Sequence, residues 1–133
     1  MWRAKIAGSL TGSGMDDLHL KGTLCRVCDR KYFPARKNCP TCLKEDTIES
    51  VRLSDYGTLY SFVNCGIAPP GYALPHVQCY IDLDDGGPRI FSLISDYGDA
   101  KRLTVGMRMV LSVGLHQKDS DGTVVAEYSF KPI

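Results

Sequence analysis

The chain has 133 residues, 44% of them hydrophobic, six cysteines and a formal charge of +1. That length fits one domain with a small appendage and excludes two full-sized domains. No apolar run approaches the roughly 20 residues of a membrane span, and the near-neutral charge argues against a protein held on nucleic acid by a general basic excess.

Residues 1–21 read as a short N-terminal extension. Trp2-Arg-Ala-Lys-Ile can begin a short helix, but Gly8-Ser-Leu-Thr-Gly-Ser-Gly14 reads as a flexible break. Ile6-Ala-Gly-Ser-Leu10 is too short and broken for the apolar region of a secretory signal.

Residues 22–52 carry the strongest signal. Cys25-Arg-Val-Cys28 and Cys39-Pro-Thr-Cys42 are two Cys-x-x-Cys turns separated by ten residues. Each turn brings two thiolates to one point, and two turns complete a tetrahedron. Zn²⁺ is the usual occupant of a closed four-thiolate site, because it takes soft ligands and has no redox chemistry. The linker from Asp29 to Asn38 contains Pro34 and no helical period, so it reads as a hairpin between two metal knuckles. Two disulfides or a redox pair compete with this reading, but a thioredoxin-like motif needs one pair in a βαβ setting that is missing here. With all four positions filled by protein, the expected zinc is structural. Cys65 and Cys79 are then left as free thiols. Reduced cysteines without a signal segment point to the cytoplasm. Four thiolates around one Zn²⁺ change the formal charge from +1 to −1. The segment from Lys21 to Arg52 is locally +4 before that correction, either a solvated ribbon surface or a contact for a phosphate-bearing ligand.

Residues 53–133 switch to period two, the mark of half-buried strands. Leu59, Ser61 and Val63 alternate with Tyr60, Phe62 and Asn64. Val77, Cys79, Ile81 and Leu83 form the apolar side of a second strand, and Asp84-Asp-Gly-Gly-Pro88 reads as the turn to a third at 90–94. After a short helical turn at 99–103, Met107, Met109, Leu111, Val113 and Leu115 line a fourth strand. Val124, Ala126, Tyr128 and Phe130 line a fifth. This order predicts a mainly β protein: an N-terminal zinc ribbon followed by a five-stranded OB-type Greek-key barrel. An open five-stranded sheet packed on the N-terminal segment is the alternative.

No catalytic site assembles from the residues. Cys79 lies on an apolar strand face and reads as a buried, inert thiol. Cys65 has no histidine near it in sequence, and His19, His76 and His116 lack metal-ligand spacing. Asp84 and Asp85 read as turn residues. The loop Ala68-Pro-Pro-Gly-Tyr-Ala-Leu-Pro75 is stiffened by its prolines, so Pro69, Pro70 and Tyr72 are candidate partner contacts; the alternative folds Tyr72 against the barrel. Tyr60, Phe62 and Tyr80 would make a base-stacking platform if they faced outward, which supports a single-stranded nucleic-acid binder as the competing function. Asp82, Asp84 and Asp85 give that face the wrong sign.

Cys25-x-x-Cys28, Tyr32-Phe-Pro-Ala-Arg36 and Cys39-Pro-Thr-Cys42, followed by the barrel pattern, resemble the domain of unknown function 35 family, as do Gly57-Thr-Leu-Tyr-Ser61 and Val105-Gly-Met107. The resemblance covers about residues 22–130 and implies a rubredoxin-like zinc ribbon ahead of an OB fold. Family members usually begin with a longer helical hairpin than the glycine-broken start seen here. The resemblance implies a non-catalytic accessory subunit of a thiolase-type complex acting on 3-oxoacyl-CoA, in a hetero-oligomer with a thiolase-fold partner. It implies acyl-CoA as a ligand shared by the complex. For the CoA phosphates and adenine, Arg36 and Lys37 with Phe33 are the expected contacts, and Arg30 and Lys31 second choices. An obligate subunit also leaves an apolar docking patch, so the chain alone should self-associate.

Overall fold

The structure is a computed structural model that describes residues 2–14, 17–43, 46–70, 72 and 76–133, with the backbone alone at 100, 116 and 117. Parts of the proline-rich loop (71 and 73–75) and the side chain of His116 therefore lie outside the described residues. Ten strands are present among the described residues: β1 (Trp2–Ala4), β2 (Leu10–Gly14), β3 (Asp17–Cys25), β4 (Arg30–Tyr32), β5 (Ile48–Arg52), β6 (Tyr56–Cys65), β7 (His76–Leu83), β8 (Arg89–Leu93), β9 (Arg108–Lys118) and β10 (Val124–Pro132). Among the described residues a single 3-10 turn, Ala100–Arg102, sits where the sequence placed its short helical link.

One sheet runs β1-β10-β9-β6-β7-β8. Its last strand curls back so that Ile94 bridges Phe130 in parallel and the Ser95 amide donates to the Phe130 carbonyl at 2.9 Å. That contact half-closes the barrel and leaves β8 and β10 apart further along. The five strands read from the sequence are β6 to β10. Their inward side chains Leu59, Val77, Ile81, Ile90, Met109 and Phe130 are buried almost completely.

The second sheet is organised on β3, which pairs with β2 through Leu18–Leu20 and with β4 and β5 through 21–25. Leu10, Leu18, Leu20 and Leu53 join the barrel's buried residues in one core cluster. This corrects the reading of the N-terminus. It is neither a short helix nor a loose break but β1 and β2. The glycine- and serine-rich β2 has little strand propensity of its own, so what holds it is pairing with β3 and burial of Leu10 against the barrel. β1 pairs in parallel with Val124–Ala126, covering the edge of β10 that β8 does not reach.

A β-bulge in β6 overturns the simple alternation expected there. Leu59 lies opposite Ile81, but Ser61 lies opposite Tyr80, so Tyr60 is the extra residue. An inserted residue reverses every later side chain. Phe62 therefore packs on the core, while Val63 and Tyr60 turn outward, 55% and 49% exposed. The base-stacking platform loses Phe62 as a result.

Two positions fix the strand packing. At Gly57 a Cβ would lie 2.5 Å from Ile81 Cγ2 and 2.7 Å from the Asp82 carbonyl oxygen, so only glycine lets β6 and β7 approach. The turn between β7 and β8 uses positive φ at Asp85, Gly86 and Gly87, as the Asp-Asp-Gly-Gly-Pro stretch implied. Asp84 accepts from Nη1 and Nη2 of Arg108, at 2.9 and 2.5 Å, which keeps its carboxyl below the usual range.

His19 couples the two sheets. Its Nδ1 meets Asp55 Oδ1 at 2.9 Å and its Nε2 meets Asp17 Oδ1 at 2.8 Å. Asp55 and then Asp17 raise the imidazole pKa, against burial and the charge of nearby Arg52. A raised folded-state pKa stabilises fully below about pH 6.5, the unfolded value, and that stabilisation is lost as pH rises through the folded value. Denaturant unfolding of the metal-loaded protein should accordingly show stability falling from about pH 6.5 upward, and His19→Gln should flatten that slope. Gly57→Ala should destabilise by about 1–3 kcal/mol in the same assay, the usual cost of overpacking.

Candidate metal centre

Cys25 ends β3, and the chain then turns back on itself twice. The Asp29 amide donates to the Cys25 carbonyl at 2.7 Å, and the Leu43 amide to the Cys39 carbonyl at 2.8 Å. Both turns end on a residue in the left-handed region, Asp29 at φ 56° and Leu43 at φ 61°. Each first cysteine also receives the amide of its partner: Cys28 N–H on Cys25 Sγ at 3.4 Å and Cys42 N–H on Cys39 Sγ at 3.5 Å. The two knuckles are thus near-copies of one another.

All four sulfurs lie within 4.8 Å of one another and could hold a metal ion. The closest pairs are Cys25–Cys42 at 3.6 Å and Cys39–Cys28 at 3.7 Å. A tetrahedron with metal–sulfur bonds of about 2.3 Å has edges of about 3.8 Å, so the sulfurs already stand at ligand spacing. They are too far apart for disulfide bonds, whose S–S distance is about 2.05 Å, and none of the six cysteines is disulfide-bonded.

Local hydrogen bonding favours the thiolate at two of the four, Cys39 and Cys25. The Cys42 amide leads in pulling Cys39 down to about 6, and the Thr47 hydroxyl leads in lowering Cys25. Burial and the neighbouring sulfurs push Cys28 the other way, to about 12. Four thiolates this close repel one another, and a divalent cation at their centre removes that penalty.

The residues that support the sulfurs escaped sequence reasoning. Thr47, itself buried, places its hydroxyl 3.4 Å from Cys25 Sγ and 3.8 Å from Cys42 Sγ. The Tyr32 hydroxyl stands 3.7 Å from Cys39 Sγ and 3.2 Å from Thr41 Oγ1. No spacing rule marks a threonine five residues after the last cysteine; only the pairing of β5 with β3 brings it there.

The ribbon lies against the barrel. Phe33 meets Tyr128 edge-on, ring centres 5.6 Å apart, and Lys31 Nζ donates to the Asp85 carbonyl at 2.7 Å. Arg36 and Lys37 are exposed, with the Arg36 amide bonded to Thr23 Oγ1 at 3.1 Å. Phe33 is therefore separated in role from the two cations: its ring belongs to the ribbon–barrel contact.

Tyr72 folds onto the barrel, the second of the readings the sequence left open. Its hydroxyl donates to Glu127 Oε2 at 2.5 Å, Lys5 Nζ lies 4.3 Å from its ring centre, and His76 packs edge-on at 5.4 Å. Pro69 and Pro70 remain at the surface. Cys79 is buried, and burial pushes its thiol up to about 12. Cys65 stands opposite His76 in the β6–β7 register, a neighbour the sequence did not reveal, although no hydrogen bond joins them among the described residues. Among the described residues no helix is long and apolar enough to cross a membrane.

A half-closed OB barrel carrying a four-cysteine knot defines the class. Residues 50–113 match the family model described as the ChsH2 C-terminal OB-fold domain. The chain is 32% identical to a DUF35 domain-containing scaffold protein of Methanocaldococcus jannaschii, over 86% of this chain and 82% of that protein. It is 34% identical to the benzoylsuccinyl-CoA thiolase subunit BbsA of Thauera aromatica, over 86% of this chain and 77% of the relative. The solved Ltp2-ChsH2(DUF35) aldolase contains a chain of the same fold, with a TM-score of 0.69 at 21% identity, covering 86% of this chain and 84% of that one. The chain belongs to the DUF35 family.

Removing the support of the sulfurs should loosen the metal. Thr47→Val is expected to weaken metal retention roughly 10–100-fold in a chelator competition. Leu43→Gly relieves a left-handed leucine and should retain metal at least as well as the natural chain, whereas Leu43→Val should release it faster.

Proposed function

We propose that this chain is a zinc-containing accessory subunit of a thiolase-type complex acting on 3-oxoacyl-CoA. It docks a thiolase-fold partner and borders the CoA site without catalysing the reaction itself. The observation that carries this reading is the alignment with benzoylsuccinyl-CoA thiolase subunits over 86% of the chain. That span is longer than the barrel alone, so it takes in the cysteine region as well. Cys79 is buried and its thiol is pushed up, which suits it poorly to be a thiolase nucleophile, since such a nucleophile must ionise readily.

In this reading residues 1–21 are an N-terminal extension, 22–52 the ribbon and 53–133 the barrel. The division at 21/22 is one of role, because β3 runs across it. Zinc sits among Cys25, Cys28, Cys39 and Cys42 as a structural ion. Arg36 and Lys37 meet CoA phosphates, with Phe33 bracing the hairpin that presents them. Pro69 and Pro70 lead the partner contact, and Tyr72 holds their loop in place. The complex works in the cytoplasm.

One observation favours a second reading. Tyr60, Tyr80 and Phe91 all face outward and are about half exposed, and Arg89 lies 3.4 Å from the Tyr60 ring centre. Such a face can stack bases. Against it, Arg89 is already paired with Asp82 and Arg108 with Asp84, which leaves the face without free positive charge from either arginine.

Isolation from native cells under mild salt, followed by intact-complex mass spectrometry, separates the two. A stable assembly with a protein of thiolase size, free of nucleic acid, is expected. A lone chain whose co-purifying nucleic acid falls away as salt rises would overturn the accessory-subunit reading. Within the assembly, replacing Arg36 and Lys37 together by alanine should raise the apparent KM for CoA about tenfold or more; an unchanged KM removes both from the site.

A further inference from the structure

The two cysteine knuckles are near-copies of one turn, so each serves as a control for the other. Their third positions are Val27 and Thr41; their fifth, left-handed positions are Asp29 and Leu43. Thr41 and Asp29 suit an exposed turn, and an aspartate tolerates a positive φ. Their counterparts do not fit so simply. Val27 is 64% exposed and Leu43 77% exposed, and Leu43 holds φ 61°, which a leucine disfavours more than an aspartate does. With that much of each side chain in solvent, packing within the chain does not account for either.

Both flank one side of the cluster. Cys25 and Cys39 are buried, whereas Cys28 and Cys42 are only half-buried and form its outer side. Val27 directly precedes Cys28, Leu43 directly follows Cys42, and those two sulfurs lie within 4.8 Å of each other. The apolar pair therefore brackets the side of the cluster that the ribbon leaves uncovered.

The charge around this pair has one sign. Between Cys25 and Leu43, Arg26, Arg30, Lys31, Arg36 and Lys37 stand against Asp29 alone. The double negative charge of a zinc tetrathiolate reduces that excess without cancelling it. An apolar centre with positive surroundings complements a surface of the opposite charge around an apolar recess. Nucleic acid would match the charge but offers no recess for two aliphatic side chains. A second copy would set like charges against each other.

We propose that the outer side of the cysteine cluster is a protein-docking surface: Leu43 and Val27 enter an apolar recess, rimmed by acidic side chains, on the thiolase-fold partner. This contact rests on the accessory-subunit reading and adds to the one made by Pro69 and Pro70. It gives the cysteine centre a part in recognition as well as in holding the ribbon.

The test measures, by calorimetry, the affinity of the full, metal-loaded chain for the partner subunit purified from the native assembly. Leu43→Gly removes the side chain at a position where glycine is at ease, so it should keep its metal in the chelator competition yet bind the partner about tenfold or more weakly. Val27→Thr, nearly the same in shape, should weaken binding about threefold or more. Affinity of the natural chain should fall as salt rises from about 50 to about 300 mM. Should Leu43→Gly lose metal, Val27→Thr decides. Unchanged affinity in the metal-loaded variants overturns the docking surface while leaving the accessory-subunit reading in place. If the natural chain forms no assembly with a protein of thiolase size, both are overturned. Variants that weaken association between copies of this chain, or its hold on nucleic acid, while the partner binds as before, also overturn the proposal.

Discussion

The convergence of four sulfurs at the end of β3 is the constraint on which the architecture rests. Cys25 is both a member of the cysteine knot and the last residue of the strand that carries Leu18 and Leu20 into the barrel core. The hairpin between the knuckles has few apolar residues, and a closed thiolate site supplies the cohesion that such a segment cannot draw from burial. Because one strand serves both regions, fixing the knot also fixes the register of β4 and β5 and the approach of the ribbon to the barrel.

That approach is direct. Phe33 against Tyr128 and Lys31 on the Asp85 carbonyl set the ribbon beside the β7–β8 turn and β10. The hydrogen bond of His19 to Asp55 adds a clamp between β3 and the residue that precedes β6. The outcome is one body with an exposed basic hairpin at one side and outward aromatic residues on β6, β7 and β8. Such a shape suits a protein that works by presenting surfaces to others.

Legibility in the sequence followed the range of the interaction. The cysteine cluster was readable because Cys-x-x-Cys closes within one turn, and β6 to β10 because period two needs no knowledge of the partner strand. Register was not readable: the extra residue at Tyr60 exists only relative to Tyr80 and Ile81, and it sends Phe62 inward against the expected alternation. β1 and β2 were hidden because β1 has only three residues, β2 is rich in glycine and serine, and tertiary pairing decides. Thr47 and Tyr32 were hidden for the same reason, since each depends on elements that meet only after folding. The family resemblance supplied the thiolase-type context, which no spacing or composition in the chain could have given.

The central claim is that Cys25, Cys28, Cys39 and Cys42 bind one zinc ion and that this ion organises the chain. X-ray absorption at the zinc edge, on protein purified without added metal and analysed for metal content, tests it most directly. One zinc per chain with four sulfur scatterers at about 2.3 Å is the result the account predicts. A substoichiometric metal, a coordination shell containing nitrogen or oxygen, or two disulfides in place of a metal would contradict it.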